Sequence, residues 1–220
     1  MSSSIDTRQK LMETATDLIW QSNYDHVGIA EICKRAGVTK GAFYHHFCSK
    51  AELFVCASDN EWESVSRDLD EAMSPRFTAI EQLGRFLSVI LHKHQTEGDN
   101  AQIYGCPFFT TGAQAGCEEK IIRKSAYDLC EKGLVYIVAL VRNLQAESCL
   151  EGSIDPSQTA RMMQQYIQGA MMHGRIYQDI EALNSDLKEG CFQILGVKAE
   201  FRSSARLAAS EAPLKQAVNA

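Results

Sequence analysis

The chain lacks the patterns that identify membrane proteins and disulfide-stapled proteins. No uninterrupted apolar stretch approaches the length that crosses a bilayer, and the first residues carry no basic segment followed by an apolar one. The eight cysteines include no Cys-X-X-Cys pair, and a chain of 220 residues can bury a core without disulfides. These absences predict a globular cytoplasmic protein with reduced thiols.

Motifs for catalysis and cofactor binding are also missing. The sequence has no Gly-X-Ser-X-Gly turn, no phosphate-binding glycine loop and no dinucleotide fingerprint. His92 and His94 point in different directions on a helix, so they make poor joint metal ligands. We therefore expect no metal, no cofactor and no enzymatic activity. A thiol-dependent enzyme that uses Cys106 with His173 is the alternative.

Charge is distributed unevenly along the chain. Residues 1–54 carry six basic and six acidic side chains, so the formal net charge of -6 arises entirely after residue 54. A neutral segment lacks the basic excess that usually marks DNA-binding domains. However, Lys34, Arg35, Lys40 and Lys50 fall near one turn, where they can gather while the acids face away. The rest of the chain is acidic, so electrostatic repulsion from the phosphates disfavours its contact with DNA.

The pattern between residues 29 and 47 predicts a helix-turn-helix. A short amphipathic helix ends at Ala36, Gly37 suits a tight turn, and Thr39 can cap the next helix. On that second helix Lys40, Tyr44 and His45 fall on the exposed side, while Phe43 and Phe47 fall on the buried side. A cation, a hydroxyl and an imidazole together suit phosphate oxygens and base edges in a major groove. The alternative is an ordinary pair of core helices with unremarkable surface residues.

This region closely resembles the TetR family of one-component transcriptional regulators. Ala36 through Leu53 reproduce the alanine-glycine turn, the Val-Ser/Thr-Lys-Gly-X-X-Tyr-X-X-Phe run and the Ser-Lys-X-X-Leu run of that family. Two departures occur: Asn23 replaces a usual glycine, and Gly28 replaces the usual hydroxyl residue at the start of the second helix. The resemblance implies DNA contacts from Gly28, Thr39, Lys40, Gly41, Ala42, Tyr44, His45 and Lys50.

The apolar residues in the rest of the chain recur at helical spacing, which predicts helices, and they show no alternation typical of strands. The expected architecture is all-α, with a three-helix helix-turn-helix DNA-binding domain in residues 1–54 and a ligand-binding and dimerisation domain in residues 55–197. Residues 198–220 are rich in alanine and serine without a sustained apolar stripe, so we expect a flexible tail.

Two predicted helices, at about residues 118–150 and 156–180, are apolar on more than one side and must bury both sides. By resemblance they would form a four-helix bundle across a two-fold axis, with Ile167 and Gly169 in the interface. A monomer core is the alternative. The function implied is a repressor that binds a palindromic double-stranded operator as a homodimer and leaves it when a small-molecule effector binds, although an activator is not excluded.

Cys106 adds a second possibility to the effector domain. A glycine-cysteine at this place resembles a branch of the family that responds to electrophiles, oxidants or small reactive acids, and a thiol near a helix start is activated by backbone amides. Cys106 is therefore either a sensing thiol or a buried core thiol. The expected effector is a flat apolar molecule or a carboxylate. Its predicted pocket consists of Trp62, Phe86, Ile90, Tyr104, Cys106, Phe108, Tyr127, Tyr166, His173 and Arg175.

Overall fold

The computed structural model describes residues 2–22, 24–95, 102–115 and 120–211, and within them the chain is helical, with two isolated β-bridges and no strand. The all-α expectation is confirmed. The helices are α1 (Ser2–Gln21), α2 (Ile29–Ala36), α3 (Lys40–His46), α4 (Lys50–Ala72), α5 (Ala79–Lys93), α6 (Pro107–Gln114), α7 (Lys120–Ala146), α8 (Pro156–Tyr177), α9 (Ile180–Leu195) and α10 (Ala199–Glu211). Among the described helices, none combines the length and the hydrophobicity that a membrane-spanning segment needs.

The helices belong to two compact units. Described residues within Met1–Glu63 and Pro107–Cys130 form the first unit, and those within Ser64–Cys106 and Glu131–Ala220 form the second. The first unit therefore includes α6, which lies far from the N-terminal segment in sequence. The expected domain boundary at residue 54 stays a prediction.

An aromatic and aliphatic core holds the first unit together. The side chains of Leu11, Phe43 and Phe47 are fully buried, and α1 packs against both α2 and α3. The ring of Phe54 lies 5.2 Å from that of Tyr24 and 5.2 Å from that of Phe108. Burial of these large side chains fixes the short helices, which are too brief to be stable alone.

In the second unit, α5 packs against α10 and α8 packs against α9. Helix α5 begins with a capping box in which Thr78 accepts from the Glu81 N–H and the Glu81 carboxylate accepts from the Thr78 N–H. Midway along α5, a Cβ on Gly84 would clash with the Ala205 carbonyl oxygen of α10. Only glycine permits this approach of the two helices.

The expectation of a flexible tail is wrong for residues 199–211, which form α10. Ala205 and Ala208 are buried. This helix has no sustained apolar stripe, because α10 gains its burial from close approach of small residues at Gly84 rather than from bulky side chains. Residues 212–220 lie outside the described part of the chain.

Candidate DNA-binding and ligand-binding sites

The turn between α2 and α3 is set by backbone geometry. Gly37 adopts φ 67° and ψ 34°, a left-handed conformation that favours glycine. Its N–H donates to the Lys34 carbonyl, and the Val38 N–H donates to the Cys33 carbonyl at 2.9 Å. Thr39 then caps α3, because its hydroxyl oxygen accepts from the Ala42 N–H at 3.1 Å. These hydrogen bonds fix where α3 begins and how it is oriented relative to α2.

Helix α3 has one buried and one exposed side, as the sequence predicted. Phe43 is fully buried, whereas Tyr44 is 57% exposed and Lys40, Gly41 and His45 are also exposed. The Tyr44 ring rests edge-on against Phe43, with the ring centroids 5.2 Å apart. A hydroxyl, an ammonium and an imidazole are therefore all accessible to a partner on the outer side of α3.

Two of the expected DNA contacts differ from the others in their surroundings. Gly28 is exposed and caps α2 without any side-chain hydrogen bond, so it offers a partner only its backbone. The Lys50 ammonium donates to the Tyr24 carbonyl at 2.9 Å and lies 4.0 Å from the centre of the Tyr24 ring. Lys50 thus has a structural role, and its contact with phosphate stays a prediction.

The expected effector residues divide between the two units. Trp62, Phe108 and Tyr127 belong to the first unit, where Phe108 is buried and Tyr127 is 58% exposed. The remaining members belong to the second unit: Phe86, Ile90, Tyr104, Cys106, Tyr166, His173 and Arg175. A common pocket for the whole set stays a prediction.

One groove of about 420 Å³ lies within the second unit, between α8 and α9. Of the expected effector residues it contains Tyr166 and His173. The Tyr166 hydroxyl donates to the Asp186 carbonyl at 2.7 Å, and desolvation raises the pKa of this phenol. The His173 ring stacks on that of Tyr177, with centroids 4.3 Å apart. The lining residues not anticipated from sequence are Gly169, Ala170, Gly174, Tyr177, Asp179, Ala182, Leu183 and Asp186.

Helix α8 buries one apolar side and also exposes several large apolar side chains among polar ones. Met163, Ile167 and Met171 are buried within the chain itself. The expected placement of Ile167 in an interface between chains is therefore wrong, because the packing of this unit already covers it. Gly169 is exposed, with open space around the position of a Cβ. The exposed apolar side chains of α8 are Met162, Met172, Ile176 and Tyr177.

Tyr104 and Cys106 lie on the short segment before α6, and both side chains are half-buried. Cys106 immediately precedes Pro107, the first residue of α6. None of the cysteines among the described residues forms a disulfide. Within the same part of the chain, no three His, Cys, Asp or Glu side chains come together in a way that could hold a metal ion.

Comparison with known proteins identifies similarity along most of the chain. One family model, described as bacterial regulatory proteins, tetR family, matches residues 11–56, and another, described as tetracyclin repressor-like, C-terminal domain, matches residues 79–189. The HTH-type transcriptional repressor NemR of Escherichia coli strain K12 is 26% identical over 184 residues, which cover 83% of this chain and 90% of NemR.

A second relative and a solved structure extend this similarity. The HTH-type transcriptional regulator TtgR of Pseudomonas putida is 25% identical over 189 residues, which cover 84% of this chain and 87% of TtgR. The crystal structure of the reduced form of E. coli NemR has a TM-score of 0.74 at 22% identity and covers 88% of this chain and 99% of that chain. The helix-turn-helix and the helical body thus both have counterparts in the same group of proteins.

Proposed function

Because this chain belongs to the tetR family of bacterial regulatory proteins, we propose that it is a ligand-responsive repressor that binds a palindromic operator as a homodimer. A small-molecule effector that binds the C-terminal helical region releases it from DNA. The observation that carries this proposal is the outer side of α3, where Lys40, Tyr44 and His45 are exposed together. Its site of action is the cytoplasm, and it needs no catalytic activity.

The direction of α3 supports a role in reading DNA. Its buried Phe43 leaves the opposite side free to enter a major groove, and the exposed Lys40 and Tyr44 supply a cation and a hydroxyl for phosphate oxygens. Thr39 contributes mainly as a cap, since its hydroxyl is occupied by the Ala42 amide. The exposed His45 imidazole adds ring nitrogens that can hydrogen-bond with phosphate oxygens or base edges.

Operator binding is tested by selecting a duplex from a random library with the wild-type protein and measuring affinity by fluorescence anisotropy. Tyr44→Ala should weaken binding without loss of helix content. Salt dependence should be steep, as expected when several phosphates are neutralised. Failure to select any palindromic duplex would refute the proposal.

The homodimer is proposed to form through the exposed apolar side of α8. Met162, Gly169, Met172 and Ile176 fall on one side of α8 at helical spacing, and this side also carries the exposed Gln165 between Met162 and Gly169. A second copy of the chain is the proposed occupant, because an operator with two-fold symmetry requires two recognition helices related by the same symmetry. The groove between α8 and α9 adjoins this side of α8 and would be covered with it.

We propose two alternative classes of effector, a flat apolar molecule and an aromatic carboxylate. Aromatic residues such as Phe86 suit a flat apolar molecule, whereas Arg175 suits a carboxylate. Thermal-shift screening of neutral aromatic compounds and of matched aromatic carboxylates separates the two. If carboxylates bind, Arg175→Ala should abolish their effect while leaving neutral compounds unaffected.

A redox or electrophile response through Cys106 is the second candidate. It is favoured by the position of Cys106 directly before α6 and by the similarity to E. coli NemR, whose crystal structure is that of a reduced form. Brief treatment with iodoacetamide followed by mass spectrometry should then label Cys106 faster than Cys130. Cys106→Ser should bind operator normally and no longer be released by the reagent. Equal labelling of the two thiols would support a reversible effector instead.

A further inference from the structure

A side-chain clamp at the end of α8 holds the segment that carries Tyr104 and Cys106. The Oε1 atom of Gln178 accepts from the Ile103 N–H at 2.9 Å, and its Nε2 atom donates to the Ile103 carbonyl at 2.9 Å. The same Nε2 donates to the Arg175 carbonyl at 2.7 Å, which anchors the amide to its own helix. Gln178 therefore pairs with Ile103 as a residue of a neighbouring antiparallel strand would.

Packing fixes the same segment on both sides. Ile103 is fully buried, and its Cδ1 atom lies 3.4 Å from the position of a Cβ on Gly174 of α8. Gly105 adopts φ +66°, and a Cβ there would lie 3.5 Å from the Met171 carbonyl oxygen. On the other side, the Tyr104 N–H donates to the His94 carbonyl at 2.9 Å, beyond the end of α5. The segment is thus held between the ends of α5 and α8.

The position of the clamp relates it to the proposed dimer surface. Gln178 directly follows Ile176 and Tyr177, which are 71% and 67% exposed, and it precedes the Asp179 cap of α9. Its φ of 55° places a non-glycine residue in the left-handed region. Most residues avoid that conformation, because it brings their Cβ atom too close to the following carbonyl oxygen. The three hydrogen bonds of the Gln178 side chain offset the strain of this conformation. A glycine would adopt the conformation without strain, but it has no side chain to make these bonds.

We propose that Gln178 is a positioning residue that couples residues 103–106 to the α8–α9 hairpin, so that loosening of the segment weakens association through α8. This inference rests on the homodimer proposed above. Coupling between two sites is reciprocal, so dissociation of the dimer must also loosen the segment. The coupling is therefore measurable without knowledge of the effector.

Hydrogen–deuterium exchange of a peptide spanning residues 102–106 in the full-length protein tests this coupling. Asparagine tolerates the left-handed conformation, but its amide is one methylene too short to pair with Ile103. Gln178→Asn should therefore raise the exchange rate of this peptide by about tenfold, as expected from the loss of one or two hydrogen bonds. Ser148→Asn is the matched control, because Ser148 also has a left-handed φ, of 57°, and should leave the exchange unchanged.

The coupling itself is tested by dissociating the dimer. Ile176→Glu should also raise exchange by about tenfold in the wild-type background. Added to Gln178→Asn, it should cause no further increase. A full further increase in the double variant would show that the clamp does not transmit the signal. Unchanged exchange in Gln178→Asn would show that it does not hold the segment.

Two further measurements keep the outcomes distinguishable. If Gln178→Asn does not fold, Gln178→Gly removes the clamp while relieving the backbone. Sedimentation identifies an Ile176→Glu protein that remains a dimer, which would overturn the proposed interface and not the clamp. In that case the coupling is tested by measuring exchange of the same peptide in concentrated, dimeric wild-type protein and in protein diluted until the dimer dissociates. Equal exchange in the two samples would overturn the coupling.

Discussion

Exposed tyrosines mark two surfaces of this protein that differ in chemistry. Tyr44 on α3 is 57% exposed and lies close to the exposed Lys40, whereas Tyr177 on α8 is 67% exposed and follows the aliphatic Ile176. Tyrosine suits both places, because its ring is apolar and its hydroxyl is polar. Exposure alone therefore does not identify the partner. A neighbouring cation favours phosphate, and a neighbouring aliphatic stripe favours a second protein surface.

The two surfaces also differ in how they are held. Helix α3 has 7 residues and depends on the Gly37 turn, the Thr39 cap and the burial of Phe43, so a small polar surface is placed at a defined angle. Helix α8 has 22 residues and presents several turns of apolar side chains. DNA reading requires a few groups in the right place, whereas association requires area.

The largest expected effect separates two adjacent residues of α3. Phe43→Ala should lower the free energy of unfolding by about 3–5 kcal/mol, because it empties a fully buried site. Tyr44→Ala should change it by less than about 0.5 kcal/mol and yet weaken operator binding. Urea unfolding followed by circular dichroism, with anisotropy for DNA, measures both. Equal destabilisation by the two changes would place Tyr44 in the core.

The apolar surface of α8 is tested by comparing two exposed aliphatic residues. Ile176→Glu should weaken dimerisation by about 100-fold, because association would bury a carboxylate without a partner. Leu207→Glu on α10 should leave the dimer intact, although Leu207 is also exposed, at 58%. Sedimentation equilibrium gives both dissociation constants. Similar losses from the two variants would indicate a general effect of charge.

A comparison of Lys40 with Lys50 tests which of the two lysines contacts DNA and which stabilises the fold. Lys40→Ala should reduce the salt dependence of operator binding by about one charge while leaving stability unchanged. Lys50→Ala should lower the free energy of unfolding by about 1–2 kcal/mol, since it removes the bond to the Tyr24 carbonyl and the contact with the Tyr24 ring. If it also reduces the salt dependence, Lys50 contacts phosphate as well.

A smaller, pH-dependent effect is expected in the second unit. The His94 Nδ1 atom lies 2.6 Å from the Ile90 carbonyl oxygen, and desolvation of the imidazole lowers its pKa from 6.5. Below pH 6.5 His94 is therefore protonated in the unfolded chain but still neutral in the folded chain. The free energy of unfolding should fall as the pH decreases from 6.5 toward the folded-state pKa. Thermal unfolding between pH 7.5 and 5 measures this loss. His94→Gln should flatten it, and an unchanged slope would assign the dependence to other groups.

Local sequence signals predicted the helix-turn-helix well. The spacing of Phe43 and Phe47 predicted their burial, and the threonine at position 39 predicted the cap, because both signals act within one or two helical turns. The structural contact of Lys50 was not foreseen. Its partner Tyr24 is 26 residues away in the sequence, and nothing in the pattern between them indicates that the two meet.

Longer-range features of the fold were predicted less well than these local signals. The helical pattern predicts inward positions for the expected effector residues, yet Tyr127 is exposed, and of this set only Tyr166 and His173 line the groove of the second unit. The effector site itself stays a prediction. Helix α10 was missed because its burial depends on the shape of Gly84 and Ala205 rather than on a visible apolar stripe. Size complementarity between two helices is not encoded in the periodicity of either one.

The sequence by itself determined the helical class, the caps and the recognition motif, since these depend on residues that are near neighbours in the chain. Only the tertiary structure decided which isoleucine of α8 is covered: Ile167 is 4% exposed and Ile176 is 71% exposed, although the side chains are identical. It also decided that Gln178 meets Ile103 across 75 positions of sequence. Periodicity defines the sides of a helix, but the elements packed against it determine which of them stay accessible to a partner.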